Sequence, residues 1–292
     1  MAPTVQPFRS GGPVGLWELS GYQPNTKVKR QYSHQSSEVG PMTNLFLLAA
    51  LWATAALAAP TAVQYLSYNI QSGSGYDHVY NLSRTAEALR WSGAEVVGLQ
   101  EVDLKTKRHP DDQPAILAGL AEFKHREYGK MRDFQGGGYG IAILSKFPIA
   151  STQVLHYKNP NGSVVTCGDP LPRDYCQGAL ATLVEIAPRR FVWMVTTHIG
   201  LYDVQLDEVV QLMRFVKGVL LPISRDIIIT GDFNSVPASA AIRKMSQEFK
   251  DVWIACGDGS EGFTFDSHQP FERIDCMACH LIPPNLCVCN HR

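Results

Sequence analysis

The chain has almost no charge surplus of either sign. Its 292 residues carry 26 Lys and Arg against 27 Asp and Glu, a formal net charge of −1. Without the first 59 residues, which hold four basic and two acidic side chains, 22 basic residues face 25 acidic ones. That excludes the global basic field that drives nucleic-acid binding through phosphate neutralisation. A polyanionic substrate has to be held by a local site or a metal. The composition, 45% hydrophobic and 18% charged, is enough to bury a large core in one sizeable domain or two small ones.

The apolar stretch LFLLAALWATAALAA, Leu45 to Ala59, is uncharged but only fifteen residues long. A membrane span needs about 20. The run fits the apolar region of a signal peptide, with Ala56-Leu57-Ala58 as an A-x-A cleavage site. Met42, three residues ahead of it, is then the expected initiator, so residues 42–58 are expected to be the signal peptide. Residues 1–41 are polar and rich in Gly, Pro, Ser and Gln, and are expected to be a disordered preface or an extension of the reading frame. The sequons Asn81-Leu82-Ser83 and Asn161-Gly162-Ser163 suit a secreted glycoprotein. The competing expectation is an uncleaved membrane anchor. No internal repeat is visible.

Beyond Pro60, strands alternate with helices. VQYLSYNI (63–70) alternates apolar and polar residues as a strand does. NLSRTAEALRWSG has helical spacing and a Gly93 stop. AEVVGLQEV reads as a strand buried on both faces. A short helix is expected around 114–123, then a Gly-rich loop QGGGYG and the strand IAILSKFPI. Two strands follow around a turn at Pro188 and Arg189. Asp203 is placed to cap an amphipathic helix whose apolar face includes Val209, Leu212, Met213, Val216 and Leu220. DIIITGDF is a further buried strand. The pattern predicts an α/β protein with layered sheets.

Several of these strands end in polar residues. Asn69 closes the first, Glu101 the second and His198 a later one. Asp232 and Asn234 follow DIIIT, and Asp275 lies in RID. Taken singly, each has a plainer reading as a turn former, a solvated strand end or a surface residue. If the strands converge at one edge, the set gathers a carboxylate for a hard divalent cation, amides for non-bridging oxygens and a histidine for a phosphoryl group. Those groups suit attack of water on phosphorus. GDFN is the most specific piece, since Asp and Asn two positions apart point the same way beyond a buried strand.

The ordered set LSYNIQSG, VVGLQEVD, GYGIAILSKFPI, VTTHIGL, ITGDFNSVP and TFDSHQPFERID resembles the endonuclease/exonuclease/phosphatase superfamily, the deoxyribonuclease I-like metal-dependent hydrolases. The resemblance covers residues 62–275 and implies a four-layered α/β sandwich, two central sheets flanked by helices, with the active site at one rim. It implies that Glu101 binds Mg²⁺ or Mn²⁺ and that Asn69 shapes the metal and phosphate site. His198 would contact the phosphate, Asp232 would orient or activate water, and Asn234 would hold a phosphate oxygen. Asp275 would orient a histidine supplied by a later Ser-Asp-His motif. The substrate is then a phosphate ester, whether nucleic acid, lipid headgroup or small phosphodiester, and a monomer is expected.

That later motif is absent. Seventeen residues follow Asp275, none forming Ser-Asp-His. Asp266-Ser267-His268 lies ahead of RID in scrambled order and is taken as coincidence. Ile141, where many relatives carry Asn, removes a polar group expected near the cleft. Residues 276–292 are expected to be an atypical Cys-rich tail replacing missing C-terminal strands, which would leave an exposed edge in the second sheet. His280 and His291 are candidate substitutes for the lost histidine. Cys276, Cys279, Cys287 and Cys289 could ligate zinc, although a secreted chain would oxidise them. With seven cysteines in all, Cys167 and Cys176 are expected to pair, while Cys256 has no obvious partner. Three readings remain: a secreted hydrolase, crippled as written; a binding protein on the same scaffold; and a scaffold with a zinc tail.

Overall fold

The computed structural model of the chain describes residues 15–20, 62–159, 176–280 and 287–291. The expected signal peptide, the Asn161 sequon and Cys167 lie outside the described residues. Twelve strands appear in this order: β1 (Gly15–Ser20), β2 (Ala62–Asn69), β3 (Val96–Leu104), β4 (His125–Phe134), β5 (Gly137–Ser145), β6 (Ile149–His156), β7 (Gly178–Ala187), β8 (Arg190–His198), β9 (Ile227–Asp232), β10 (Lys250–Asp251), β11 (Asp275–His280) and β12 (Cys287–His291). The helices are α1 (Leu82–Ser92), α2 (Gln113–Leu120), α3 (Gln205–Phe215), α4 (Ala240–Met245) and α5 (Val252–Cys256).

The strands form two sheets, ordered β12-β1-β2-β3-β5-β4 and β10-β11-β9-β8-β7-β6. One neighbouring pair in each is parallel, β2 with β3 and β8 with β9; the others are antiparallel. Strand alternation sorts the apolar residues into three cores. Tyr65, Val96 and Ile143 of the first sheet meet Val192, Met194, Ile228 and Met277 of the second. The other face of the first sheet packs Leu66, Val97 and Leu99 against Leu82, Ala86 and Leu89 of α1 and Leu117 of α2. The outer face of the second packs Trp193, Val195 and Ile229 against Val209, Leu212 and Met213 of α3 and Ile242 and Met245 of α4. Helix, sheet, sheet, helix is the four-layered sandwich expected.

Several local expectations differ from the structure. β4, in HREYGKMRDF, was hidden by its charge: its exposed positions alternate with the buried Met131 and Phe134. Gly137, Gly138 and Gly140 of the expected loop lie inside β5. A Cβ at Gly140 would stand 2.0 Å from the Gly129 carbonyl oxygen. The glycines therefore serve close backbone approach in paired strands, not a loop. Asp203 does not cap α3, because a 3-10 turn at Tyr202–Val204 precedes the helix and Val204 holds the cap position. Ile141 is buried between the sheets rather than set beside the cleft.

The two ends of the chain also depart from expectation. Gly15–Ser20, within the preface expected to be disordered, pairs antiparallel with β2. β11 runs past Asp275 to His280, so the expected tail begins as an interior strand paired with β9. Cys276 packs in the outer core and Cys279 in the inter-sheet core. Residues three apart on a strand face opposite ways, which removes the knuckle a Cys276/Cys279 zinc site needs. In the second sheet, β10 pairs with β11 only at Ala278 and Cys279. Cys176 and Cys256 each take part in a disulfide.

Candidate active site

All six expected side chains lie at one edge of the sheets. β2 and β3 run parallel and end toward it, as do β8 and β9. β11 is antiparallel to β9 and starts there, with Asp275 opposite Asp232 and Asp232 opposite His198. Asn69 is the last residue of β2. Glu101 is not the end of its strand, since β3 continues to Leu104; it sits in a register shift between Leu99 and Val102, with its backbone in the left-handed region at φ 56°. Such a bulge re-aims a side chain, and left-handed backbone at a non-glycine residue costs on the order of 1–3 kcal/mol, which is seldom borne without a functional return.

Asn69 joins the two sheets. Its Oδ1 accepts the Gln71 N–H at 3.0 Å, which fixes the amide's orientation. Its Nδ2 donates to Glu101 Oε1 at 3.0 Å and to Asp232 Oδ2 at 3.0 Å. Asp232 Oδ1 accepts the Asn234 N–H at 2.9 Å, and His198 Nε2 lies 3.8 Å from Asp232 Oδ2. The Asn234 amide nitrogen donates to the Ile199 carbonyl at 2.8 Å and stands 3.2 Å from His198 Nε2. Asn234 itself has φ 46°. Asn69, Glu101, His198, Asp232 and Asn234 thus form one connected group.

Asp275 adjoins the group without a partner for all of its carboxyl. The salt bridge of Arg273 to Asp251, 2.8 Å and buried, anchors the approach to β11. Asp275 Oδ1 is buried with no hydrogen-bond partner. Burial, and then the neighbouring charge of Asp232, push its carboxyl well above the usual carboxylate range, against the Thr264 hydroxyl. Asp275 therefore holds its proton to a higher pH than a free carboxyl does. The expected substitute His280 does not reach it. His280 sits at the opposite end of β11, five residues away, roughly 16 Å along an extended strand. The backbone of His291 pairs with Gly15, two strands out from β2. Asp266-Ser267-His268 makes a turn, with the His268 and Gln269 N–H groups both donating to Asp266 Oδ1, and the His268 ring stacks on Tyr76.

A second polar group beside Glu101 escaped the sequence reading. Buried Asp103 receives two hydrogen bonds from Arg108, at 2.6 and 2.9 Å, and meets His109 Nδ1 at 2.8 Å. Arg108 also donates to Ser72 in the loop after Asn69 and lies over the Phe134 ring. This lattice braces the loops on both sides of Glu101. Its only sequence trace is the charge run KTKRHP, which looks like a solvated turn. Among the described residues no three His, Cys, Asp or Glu side chains converge on one point. Glu101, with Asp232 beyond Asn69, offers oxygen ligands only. That donor set fits a hard cation that takes one or two carboxylates and completes its shell with water and substrate oxygens.

Residues 66–275 match the Endonuclease/Exonuclease/phosphatase family. The chain belongs to that family. The solved structures it resembles include an endonuclease/exonuclease/phosphatase from Beutenbergia cavernae, 20% identical with a TM-score of 0.56, of which the chain spans 63% with 74% of its own length. Truncated TDP2 from Caenorhabditis elegans is 18% identical, with a TM-score of 0.53 and coverage of 74% of this chain and 82% of that one. Mannosyl-6-phosphatase from Bacteroides thetaiotaomicron is 15% identical, with a TM-score of 0.55 and coverage of 74% and 84%. At these identities the likeness is one of fold. No curated protein matches the chain. The connected group lies at the shared strand edge of this endonuclease/exonuclease/phosphatase sandwich.

Glu208, on the first turn of α3, is a further buried carboxyl near the site. Burial raises its pKa from 4.5 to about 8, against a backbone hydrogen bond from Gly200. A folded-state pKa above the unfolded one means the native state keeps a proton that the unfolded chain has lost. The stability tied to that proton is full below pH 4.5 and is lost as pH rises through about 8. Urea unfolding of Glu208→Gln and wild type at pH 5 and pH 8 is expected to show the variant gaining relative to wild type at the higher pH. An equal difference at both pH values would contradict it.

Proposed function

We propose that the protein is a divalent-metal-dependent hydrolase of phosphodiester or phosphomonoester bonds, acting outside the cell. One observation carries the reading: the Asn69 amide holds Glu101 of one sheet and Asp232 of the other at 3.0 Å each, beside His198 and Asn234. A binding-only protein has no need to bring two carboxylates, two amides and a histidine together at that edge. Glu101, with water and substrate oxygens, would hold Mg²⁺ or Mn²⁺, and the ion when bound would neutralise charge developing on the phosphoryl oxygens. Asp232 orients the attacking water and takes up its proton. His198 and Asn234 would line the place of the phosphoryl oxygens, where a shift of the Asn234 amide off His198 Nε2 would free an N–H for one of them. Asp275 adds a buried carboxyl beside Asp232, with one oxygen left without a partner.

The absence of a basic surplus favours compact substrates, such as a small phosphodiester, a phosphorylated sugar or a lipid headgroup, over long duplex nucleic acid. The test is a Mg²⁺ and Mn²⁺ titration with p-nitrophenyl phosphate and bis-p-nitrophenyl phosphate, on the chain and on Asp232→Asn. Turnover is expected to fall ~10²-fold or more in the variant, the scale of a lost general base. A folded protein inert with both substrates and both ions would favour the alternative, a binding protein on this scaffold, and Asp275 Oδ1 without a partner is the observation behind that alternative.

Secretion is supported by the apolar run before Ala58, by the disulfide-bonded Cys176 and Cys256 and by exposed Asn81, whose Oδ1 caps α1 by accepting the Arg84 N–H while its nitrogen stays available for a glycan. Cleavage after Ala58 also removes Gly15–Ser20, the neighbour of β2, so the secreted form has to cover that edge by other means. Protein collected from the medium of expressing eukaryotic cells is expected to begin at Ala59 and to carry an Asn81 glycan. Retention inside the cell with Met1 or Met42 intact would refute secretion.

A further inference from the structure

The first turn of α3 approaches the site from outside the group of residues assigned above. Glu208 is 3% exposed, and its Oε2 accepts the Gly200 N–H at 2.7 Å. The carbonyl of that same peptide unit, Ile199 O, accepts the side-chain amide of Asn234 at 2.8 Å. A peptide unit is planar and stiff. The carboxyl that holds its N–H end therefore also sets where its carbonyl end stands, and with it the acceptor that aims Asn234. Gln205, one helical turn before Glu208, donates from Nε2 to the main-chain carbonyl of Asn234. Positions three apart share a helix face, so one face of α3 grips Asn234 both through its own carbonyl and through the Ile199-Gly200 peptide.

We propose that Glu208 and Gln205 are positioning residues that keep Asn234 in its left-handed backbone and hold its amide against His198, at the edge of the candidate phosphate site. This rests on the phosphoester-hydrolase reading for its catalytic consequence, but not for its geometry. Asn234 takes φ 46°, a left-handed conformation that Asn reaches more readily than most residues but still needs partners to fix. The Asp232 carboxylate, which accepts the Asn234 N–H, fixes one side of the residue. The face of α3 fixes the other. A buried carboxyl is a costly way merely to tie down a loop; here its position beside the Ile199-Gly200 peptide gives it a second effect, on the acceptor for Asn234.

The test uses the full chain with Glu208→Ala, Glu208→Gln and Gln205→Ala, each first checked for fold by circular dichroism. With bis-p-nitrophenyl phosphate and Mg²⁺, Glu208→Ala is expected to lose about 10- to 100-fold in kcat with KM nearly unchanged, the scale of a catalytic group displaced by an ångström or less. Glu208→Gln, whose amide oxygen accepts the same N–H, is expected to restore most of it. The ¹⁵N–¹H signal of the Asn234 side-chain amide, recorded without metal or substrate, is expected to move in Glu208→Ala and to return in Glu208→Gln. If wild type hydrolyses nothing, the hydrolase reading fails and that signal alone decides the positioning role. A folded Glu208→Ala whose Asn234 signal stays in place overturns the proposal, whatever its stability. If Glu208→Ala does not fold, Gln205→Ala decides, with a moved signal supporting the proposal and an unmoved one overturning it.

Discussion

One amide nitrogen, Asn69 Nδ2, bonds a carboxylate from each sheet, and the candidate site depends on that contact. Glu101 and Asp232 are like charges that would repel if brought to one edge with nothing between them. Asn69 can stand between them because its own oxygen is already committed to the Gln71 N–H. The sheets must also meet closely for the contact to form. Gln100 Nε2 donates across the layers to Thr196 Oγ1 at 2.7 Å, and a Cβ on Gly98 would come within 2.6 Å of the same oxygen. The close approach at Gly98 and Gln100 thus underlies the arrangement at Glu101, three residues and one residue further along.

The second constraint is strain. Glu101 and Asn234 both hold left-handed backbone, and each is supported from outside the reacting group. Around Glu101 the support is the Asp103, Arg108 and Ser72 lattice. Around Asn234 it is α3 and the Asp232 carboxylate. The rim is therefore made of two braced strand ends facing each other across one amide. Asp275 is the exception: it is close enough for the Asp232 charge to raise its pKa, yet it keeps an oxygen with no partner.

Much of the fold was legible in the sequence because burial and periodicity coincide. DIIITGDF, GALATLVEIA and the helical stripe from Val209 to Leu220 carry their layers in plain view, and the strand-end polar residues follow once the strands are placed. β4 was missed because its charged positions mask the buried Met131 and Phe134. The Gly-rich stretch was misplaced because glycine marks close strand approach as well as loops. The tail misled for a related reason: cysteines suggest a ligand set, but Cys276 and Cys279 are small apolar residues of an interior strand. The roles of Arg108, Gln205 and Glu208 could not be read at all, since each depends on a neighbour 29 to 36 positions away or on a peptide group eight residues back.

The proposal that Glu101 holds a hard cation beside Asn69 and Asp232 can be put to one measurement. Mn²⁺ binding followed by electron paramagnetic resonance should give a single site in the wild type. Glu101→Gln should abolish it, and Asp232→Asn should weaken it. Mn²⁺ binding unchanged by either substitution, in proteins that remain folded, would contradict the account.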